Sequence, residues 1–178
     1  MCILKIALKF LTNVKECVII YAVKIWRCLV RDQKENSLLL RNQLCFPLYA
    51  ASREVIKQYR THLDTLDLTY TQYIAMMAFW EDGKLSVKEL GKKLFLDSGT
   101  LTPVLKSLEA KGFVRRYRST EDERVLYVEL TEKGKALREK AAEIPDKVSS
   151  CVDIDEEDGK ELYRILYSIL EKLTQDKN

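Results

Sequence analysis

Cys45 lies in the stretch NQLCFPLYAASRE, among the large apolar side chains of Leu44, Phe46 and Leu48. A thiol in such surroundings can be a packed core residue, a metal ligand, a nucleophile or a redox sensor. None of the five cysteines belongs to a CxxC pair, and His62 is the only histidine. Because structural zinc needs four clustered Cys or His ligands, the sequence predicts no metal site and no cofactor.

The composition is typical of one globular domain. The chain has 178 residues, of which 47% are hydrophobic and 32% charged, with only six glycines and three prolines. This balance favours a helix-rich fold with a substantial core. No secretory signal is evident, so the sequence predicts a cytoplasmic protein in which structural disulfides are not expected. A functional thiol in that compartment is reactive or regulatory.

Charge is distributed unevenly along the chain. The formal net charge is only +3, but residues 84–118 contain nine Lys or Arg against three acidic residues. Residues 141–178 contain ten acidic residues against five basic ones. A basic centre between less basic ends indicates a local surface for a polyanion.

Residues 1–36 are interpreted as an N-terminal extension, for which two explanations stand. Residues 1–30 are strongly apolar, yet their charge-free runs reach only about seven residues, whereas a membrane span needs about 20. Most of their polar side chains fall on one stripe of a helical wheel, as in an amphipathic helix that docks on a partner or a membrane surface. Alternatively, the natural protein starts near Leu29 or Val30. No stable membrane association is expected.

The chain after Ser37 predicts a series of helices. Leu38 to Leu63 is a long amphipathic helix, which either begins just before Cys45 or kinks at Pro47, because proline disrupts a helix interior. A mostly buried second helix is predicted from Tyr70 to Trp80, ended by the turn EDGK.

A helix-turn-helix is predicted next. Ser86 with Glu89 three residues later forms a capping box, which opens a short helix over VKELGKKL. In DSGTLTPVLKSLEAKG, Asp97 or Ser98 caps a second helix that Gly112 ends. Two short helices joined by a tight turn are typical of DNA-binding domains. The inward face of the second helix is predicted to contain Leu101, Val104, Leu105 and Leu108.

A hairpin and two further helices complete the predicted fold. FVRRYR and RVLYVEL alternate as strands do around STEDE, and a hairpin after a helix-turn-helix makes a winged helix. Thr131 with Gly134 starts a helix to about Lys147, broken at Pro145, and Asp158 to Leu173 forms a last amphipathic helix. The predicted fold class is mainly α with a small β-hairpin wing.

Two groups of polar side chains are predicted to contact DNA. Hydroxyls and lysines on the second helix suit base edges and phosphates in a major groove. Arginines on the wing enter the adjacent minor groove or hold phosphates, and Asp122 is placed to orient Arg124. The exposed candidates on the helix are Ser98, Thr100, Thr102, Lys106 and Lys111. The candidates on the wing are Arg115, Arg116, Arg118 and Arg124.

Four segments together resemble a known family. NQLCFPLYAASRE, LTYTQY, LGKKLFLDSGTLTPVLKSLEAKG and EDERVLYVELTEKG are similar to the organic hydroperoxide-sensing (OhrR) repressors of the MarR family, over about residues 38–173, and residues 1–36 have no counterpart. The resemblance implies a MarR-type homodimer that binds operator double-stranded DNA. It also implies that oxidation of an N-terminal cysteine by an organic hydroperoxide releases the operator and derepresses peroxide-resistance genes.

The resemblance assigns roles to regions and residues. Residues 37–66 and 131–178 correspond to dimerisation helices, and residues 67–130 to the winged helix-turn-helix. Cys45 matches the sensor cysteine. The family's tyrosines around the thiol are matched by Tyr49, Tyr59 and Tyr70, and the apolar neighbour Phe46 completes the predicted sensor pocket.

Helix geometry adds a constraint on that pocket. On one straight helix Cys45, Tyr49 and Tyr59 fall within about 80° of each other, but about 21 Å of rise separates Cys45 from Tyr59. Tyr59 can therefore reach only the partner's thiol, which predicts an intersubunit sensor if the first helices cross in the dimer. Tyrosine hydroxyls and a helix N-terminus favour the reactive thiolate, and the apolar neighbours favour an alkyl or lipid peroxide over hydrogen peroxide.

A sulfenic acid formed at the sensor condenses with a second thiol, and two sources stay open. Some members of the family carry a late cysteine that forms a disulfide to the partner's sensor, and others use a low-molecular-weight thiol. Cys151 stands at or within one residue of that late position, and the alternative is a bystander in a loop. Cys2, Cys17 and Cys28 are predicted to be incidental.

Two other functions fit parts of the sequence. A MarR-type repressor released by a non-covalent small lipophilic ligand keeps the DNA binding and predicts that Cys45→Ser still responds to inducer. A thiol peroxidase uses Cys45 catalytically, but that hypothesis explains neither the wing arginines nor the threonine-rich helix. The sequence therefore predicts a regulator and not an enzyme.

Overall fold

The computed structural model describes residues 37–152 and 154–175. The predicted amphipathic segment at residues 1–30 lies outside these ranges. Two compact units divide the chain, and the boundary between them falls between Ser52 and Arg53. That boundary lies within the first α-helix, α1, which spans Cys45–Asp64.

The start of α1 resolves the alternative raised by Pro47. A short 3₁₀ turn, Leu40–Asn42, precedes the helix, and α1 begins at Cys45. Pro47 is then the third residue of α1, where a backbone N–H has no intrahelical acceptor, so its missing donor costs little. The prediction that the helix begins beside Cys45 is confirmed.

Reciprocal side-chain caps fix the next two helices. The helix α2, Tyr70–Asp82, starts with a capping box between Thr69 and Gln72, which the sequence interpretation missed. It ends at Gly83, whose φ of 75° favours glycine. The helix α3, Val87–Leu94, carries the predicted Ser86–Glu89 capping box, because Ser86 Oγ accepts from Glu89 N–H at 3.2 Å and Glu89 accepts from Ser86 N–H at 2.7 Å.

A left-handed residue and an aspartate set the turn into the next helix. Phe95 adopts a φ of 55° after α3, and Leu96 N–H donates to the Gly91 carbonyl at 2.9 Å. Asp97 caps α4, which spans Ser98–Ala110, and Gly112 at φ 74° follows its end. The α3–turn–α4 unit confirms the predicted helix-turn-helix.

The wing belongs to a three-stranded antiparallel sheet. The strands β2, Val114–Arg118, and β3, Leu126–Leu130, form the predicted hairpin. A third strand, β1 (Lys84–Ser86), pairs with the other edge of β3 and gives the order β1-β3-β2. β1 was not predicted, because three residues carry no readable alternation.

The helix predicted from Thr131 to Lys147 with a break at Pro145 is interrupted, but the break lies slightly earlier, at residues 142–143. The chain forms α5 (Glu132–Ala141) and then α6 (Ile144–Ser149). Pro145 lies in the first turn of α6, where proline is tolerated. Proline has no backbone N–H to bond to the preceding turn, and its ring clashes with that turn, so one continuous helix cannot run through this position. The last helix, α7, spans Glu156–Gln175 and extends the prediction by about half a turn at each end.

The hydrophobic core of the second unit lies between the helix-turn-helix, the sheet and α2. The three leucines Leu101, Leu105 and Leu108 of α4 are fully buried, as predicted, and Val104 is partly buried. No side chain of α7 within the described residues is buried. Its apolar face, which includes Leu162, Ile165 and Leu173, is open in the single chain. The prediction that this helix serves dimerisation stays a prediction.

Candidate functional site

The solvent face of α4 carries short hydroxyls and one free cation. Ser98, Thr100, Thr102 and Lys106 are all exposed. Asp97 accepts from Thr100 N–H at 2.9 Å and from Thr100 Oγ1–H at 2.8 Å, and these bonds lower the pKa of Asp97. The Lys106 ammonium has no protein partner among the described residues. This face is therefore polar, rigidly capped and able to approach a negatively charged ligand.

Lys111 does not belong to that face. Its side chain is only 23% exposed, and its Nζ lies 3.2 Å from the Asp67 carboxylate and 3.2 Å from Gln72 Oε1. Gln72 Nε2 in turn donates to Ser107 Oγ at 2.9 Å. The prediction that Lys111 is exposed is wrong, because the lysine ties the end of α4 to the turn before α2.

One face of the wing sheet presents a cluster of aromatic and charged side chains. Arg115 is paired with Glu129, whose carboxylate also accepts from Tyr117 Oη–H at 2.8 Å. The pKa of Glu129 is lowered, first by the Tyr117 hydrogen bond and then by Arg115. Lys84 Nζ lies 4.2 Å from the centre of the Tyr127 ring. Arg115 is nonetheless 70% exposed, so it can reach an external ligand.

Arg116 points to the opposite face of the sheet, towards α4. Its Nε donates to Glu109 Oε2 at 2.8 Å, its terminal nitrogen donates to the same carboxylate, and its backbone N–H donates to Glu109 Oε1 at 3.1 Å. The Arg116 side chain is 21% exposed. The hydrogen bonds from Arg116 lower the pKa of Glu109. Sequence reasoning missed Glu109, which had no motif to mark it.

The tip of the wing is held by its own side chains. Arg118 donates to the Glu123 carbonyl across the turn. Asp122 accepts from the backbone N–H of Arg124 at 2.9 Å, so it sets the backbone of Arg124 and leaves the side chain free. The Arg124 guanidinium has no partner among the described residues. Between α4 and the wing lies a groove of about 600 Å³, lined by Ser98, Thr102, Arg116 and Arg124 among others.

Cys45 is an exposed free thiol at the first residue of α1. Its neighbours along the first unit, Leu44, Phe46, Leu48 and Tyr49, are also exposed. These side chains present an apolar surface next to the thiol and to the N-terminal end of a helix. No group of His, Cys, Asp or Glu among the described residues could hold a metal ion.

The predicted pocket residues Tyr59 and Tyr70 lie together in the second unit. Their ring centres are 5.1 Å apart in an edge-on arrangement, and Tyr73, which sequence reasoning missed, lies 5.9 Å from Tyr59. Burial, and secondly the neighbouring Tyr59, raises the pKa of Tyr70, so its hydroxyl keeps its proton at neutral pH. Trp80 closes the cluster 6.2 Å from Tyr73 and donates its indole N–H to the Gly134 carbonyl.

Cys151 follows α6 and is exposed. Its Sγ–H donates to the Lys147 carbonyl at 3.3 Å, which places it at the end of the short helix. No helix among the described residues is long and apolar enough to cross a membrane.

Known transcriptional regulators are similar to this chain. The family described as transcriptional regulator SarA/Rot matches residues 57–141. The organic hydroperoxide resistance transcriptional regulator of Bacillus subtilis (strain 168) is 49% identical over 144 residues, which cover 81% of this chain and 98% of that protein. The HTH-type regulator SarZ of Staphylococcus aureus (strain USA300) is 48% identical over 138 residues, covering 78% and 93%.

Solved structures of AbfR from Staphylococcus epidermidis are similar as well. Reduced AbfR bound to DNA matches with a TM-score of 0.65 and 35% identity, covering 80% of this chain and 99% of AbfR. Disulfide-formed AbfR matches with a TM-score of 0.54 and 34% identity, covering 79% and 98%.

Proposed function

This chain belongs to the MarR family of winged-helix transcriptional regulators, within its organic hydroperoxide-sensing (OhrR) branch, and we propose that Cys45 is the residue through which it senses peroxide. The reduced homodimer represses transcription by binding operator double-stranded DNA. Oxidation by an organic hydroperoxide releases the operator and derepresses peroxide-resistance genes. The observation that carries the assignment of Cys45 is its exposed thiol at the first residue of α1, surrounded by exposed apolar side chains.

The DNA-binding surface consists of α4 and the wing. The exposed hydroxyls and Lys106 enter a major groove, and Arg124 with Arg115 reaches the flanking backbone or minor groove. Arg118 and Asp122 hold the tip that carries Arg124. In a dimer the two α4 helices must lie about 34 Å apart to enter successive major grooves.

The sensing reaction starts from the Cys45 thiolate. Its sulfur attacks the terminal oxygen of the hydroperoxide ROOH, the O–O bond breaks, and RO⁻ leaves and is protonated to ROH. Cys45 becomes a sulfenic acid, and the peroxide is reduced by two electrons. The exposed apolar surface of Leu44, Phe46 and Leu48 favours the alkyl or lipid group of an organic peroxide over small, strongly hydrated hydrogen peroxide.

Tyrosine hydroxyls stabilise the thiolate before the attack. We assign this role to Tyr49 and to the partner's Tyr59 and Tyr70, because on one straight helix about 21 Å of rise would lie between Cys45 and Tyr59. The Tyr70 hydroxyl is protonated at neutral pH, because its ordinary pKa of 10.0 lies well above 7 and burial raises that pKa further. A protonated phenol can donate to the anion, and donors to the charged form favour it.

Cys151 is the proposed resolving thiol. Its sulfur attacks the sulfenic acid of the partner's Cys45, an S–S bond forms, the S–O bond breaks and water leaves. The exposure of Cys151 and the disulfide-formed structure of AbfR support this assignment. A low-molecular-weight thiol can attack the sulfenic acid in the same way, again forming an S–S bond and releasing water. Each subunit then reacts once, as a switch in the cytoplasm and not as a turnover enzyme.

The assignment of the resolving thiol is tested by intact mass under non-reducing conditions after one equivalent of cumene hydroperoxide. Wild type is expected to run as a disulfide-linked dimer containing Cys45 and Cys151. Cys151→Ser is expected to stop at the sulfenic acid, trapped by dimedone on Cys45. A wild-type protein that carries dimedone on Cys45 and no disulfide would leave the external thiol as the resolving partner.

A further inference from the structure

We infer that Glu109 and Arg116 form a positioning pair that sets the wing against α4, and that Arg116 is not a DNA contact. The inference rests on the proposed operator binding and refines it. It reassigns one of the four wing arginines, which share a strand or a turn but not an environment.

Strand register explains why Arg116 differs from its neighbours. In β2, Arg116 pairs with Val128, and it shares its face of the strand with Val114. Val114 and Val128 are 2% and 0% exposed, so this face turns towards the core and α4. The side chains of Arg115 and Tyr117, on either side of Arg116 in the strand, lie on the opposite, open face of the sheet. Arg116 is therefore directed at the end of the recognition helix, where Glu109 stands.

The contact has the geometry of a rigid clamp. Both side-chain nitrogens of the Arg116 fork reach the Glu109 carboxylate, and the backbone N–H of Arg116 occupies its other oxygen. One carboxylate of α4 thus holds a side chain and the main chain of β2 together. The two side-chain nitrogens converge on Glu109 Oε2 while the backbone N–H bonds to Oε1, so three charge-assisted hydrogen bonds fix the orientation of Arg116 as well as its distance from α4. Lys106, one turn before Glu109, and Arg124, beyond the strand, are the groups whose spacing the clamp would fix.

If Arg116 instead contacted DNA, electrostatics would predict the opposite change in operator affinity when Glu109 is neutralised. If Arg116 bound a phosphate, Glu109 would compete for its guanidinium and repel the DNA, so Glu109→Gln would tighten operator binding. If the pair is a clamp, the same substitution loosens the wing and weakens binding, although it removes a negative charge. The sign of one measured change therefore separates the two roles.

The test is operator binding by fluorescence anisotropy with reduced protein, from low to moderate salt, for wild type and three variants. Glu109→Gln and Arg116→Lys are expected to weaken operator binding about five- to ten-fold, which corresponds to about 1–1.4 kcal/mol. Neither should change the slope of log Kd against log salt. Lysine keeps the charge of Arg116 but not its fork, so retained affinity in Arg116→Lys would overturn the inference.

The matched control is Glu129→Gln, which breaks the ion pair that Glu129 of β3 makes with Arg115, the neighbour of Arg116 in β2. That pair lies on the open face, so its loss is expected to leave affinity unchanged or to tighten it. The clamp also predicts that binding to a random duplex changes less than two-fold in Glu109→Gln, because non-specific affinity comes from phosphate contacts. An equal loss on operator and random DNA would contradict a positioning role. Wild-type binding in the same series tests the proposed function separately.

Discussion

Lys106 allows a quantitative prediction about the DNA-binding surface formed by α4 and the wing. Its ammonium is exposed on α4 and has no partner among the described residues, so it is available to a DNA phosphate. A homodimer presents it twice, and each neutralised phosphate contributes about 0.9 to the salt slope, so Lys106→Met should lower that slope by about 1.8. Over a four-fold rise in salt, from about 50 to 200 mM, the ratio of the variant's Kd to the wild-type Kd should therefore fall about 12-fold.

The assay is a set of operator titrations by anisotropy at four salt concentrations with fully reduced protein. The control is Lys135→Met, which removes the same charge from α5, where the lysine is paired with Glu132. The control should keep the wild-type slope. Equal slopes for wild type and Lys106→Met would refute the placement of Lys106 against the DNA backbone.

Two further predictions concern stability. At Gly134 an added Cβ would lie 2.0 Å from the Phe113 carbonyl oxygen, so Gly134→Ala should destabilise the protein by about 3 kcal/mol in chemical denaturation. Gly159→Ala, with nothing within 4 Å of its Cβ, should instead stabilise α7 by about 0.5–1 kcal/mol, and equal effects at the two sites would contradict the packing. The second concerns pH: Arg116 lowers the pKa of Glu109 below its ordinary 4.5. The stability that Glu109 contributes is therefore present above pH 4.5 and lost as pH falls through the lowered pKa. The melting temperatures of wild type and Glu109→Gln should differ at neutral pH and converge once the pH falls below the lowered pKa of Glu109. A gap that stays constant with pH would contradict the pairing.

Local sequence signals correctly predicted the helix-turn-helix and the wing. The Ser86–Glu89 capping box, the Asp97 cap and the alternation on either side of STEDE are decided by residues within a few positions of each other. The inward face of α4 followed from spacing alone. These features were confirmed because helix caps and strand faces depend little on distant parts of the chain.

Features that depend on distant partners could not be read from the sequence. Arg115 and Arg116 are adjacent and identical, yet only the fold reveals that Arg116 meets Glu109. Lys111 looked like an exposed basic residue, and its partners Asp67 and Gln72 lie about 40 positions away in the chain. The strand β1 exists because β3 offers it an edge. For the same reason, Tyr73 in the aromatic cluster had no sequence signal.

We propose that oxidation at Cys45 is the event that releases the operator. It is tested most directly by titrating the reduced protein–operator complex with cumene hydroperoxide, while peptide mapping measures the oxidised fraction of Cys45. Release should follow that fraction, reach completion at about one equivalent per subunit, as the one-step stoichiometry requires, and be absent in Cys45→Ser. Release of the operator by Cys45→Ser at the same peroxide concentration would contradict the sensor role of Cys45 and point to a ligand that binds without covalent chemistry.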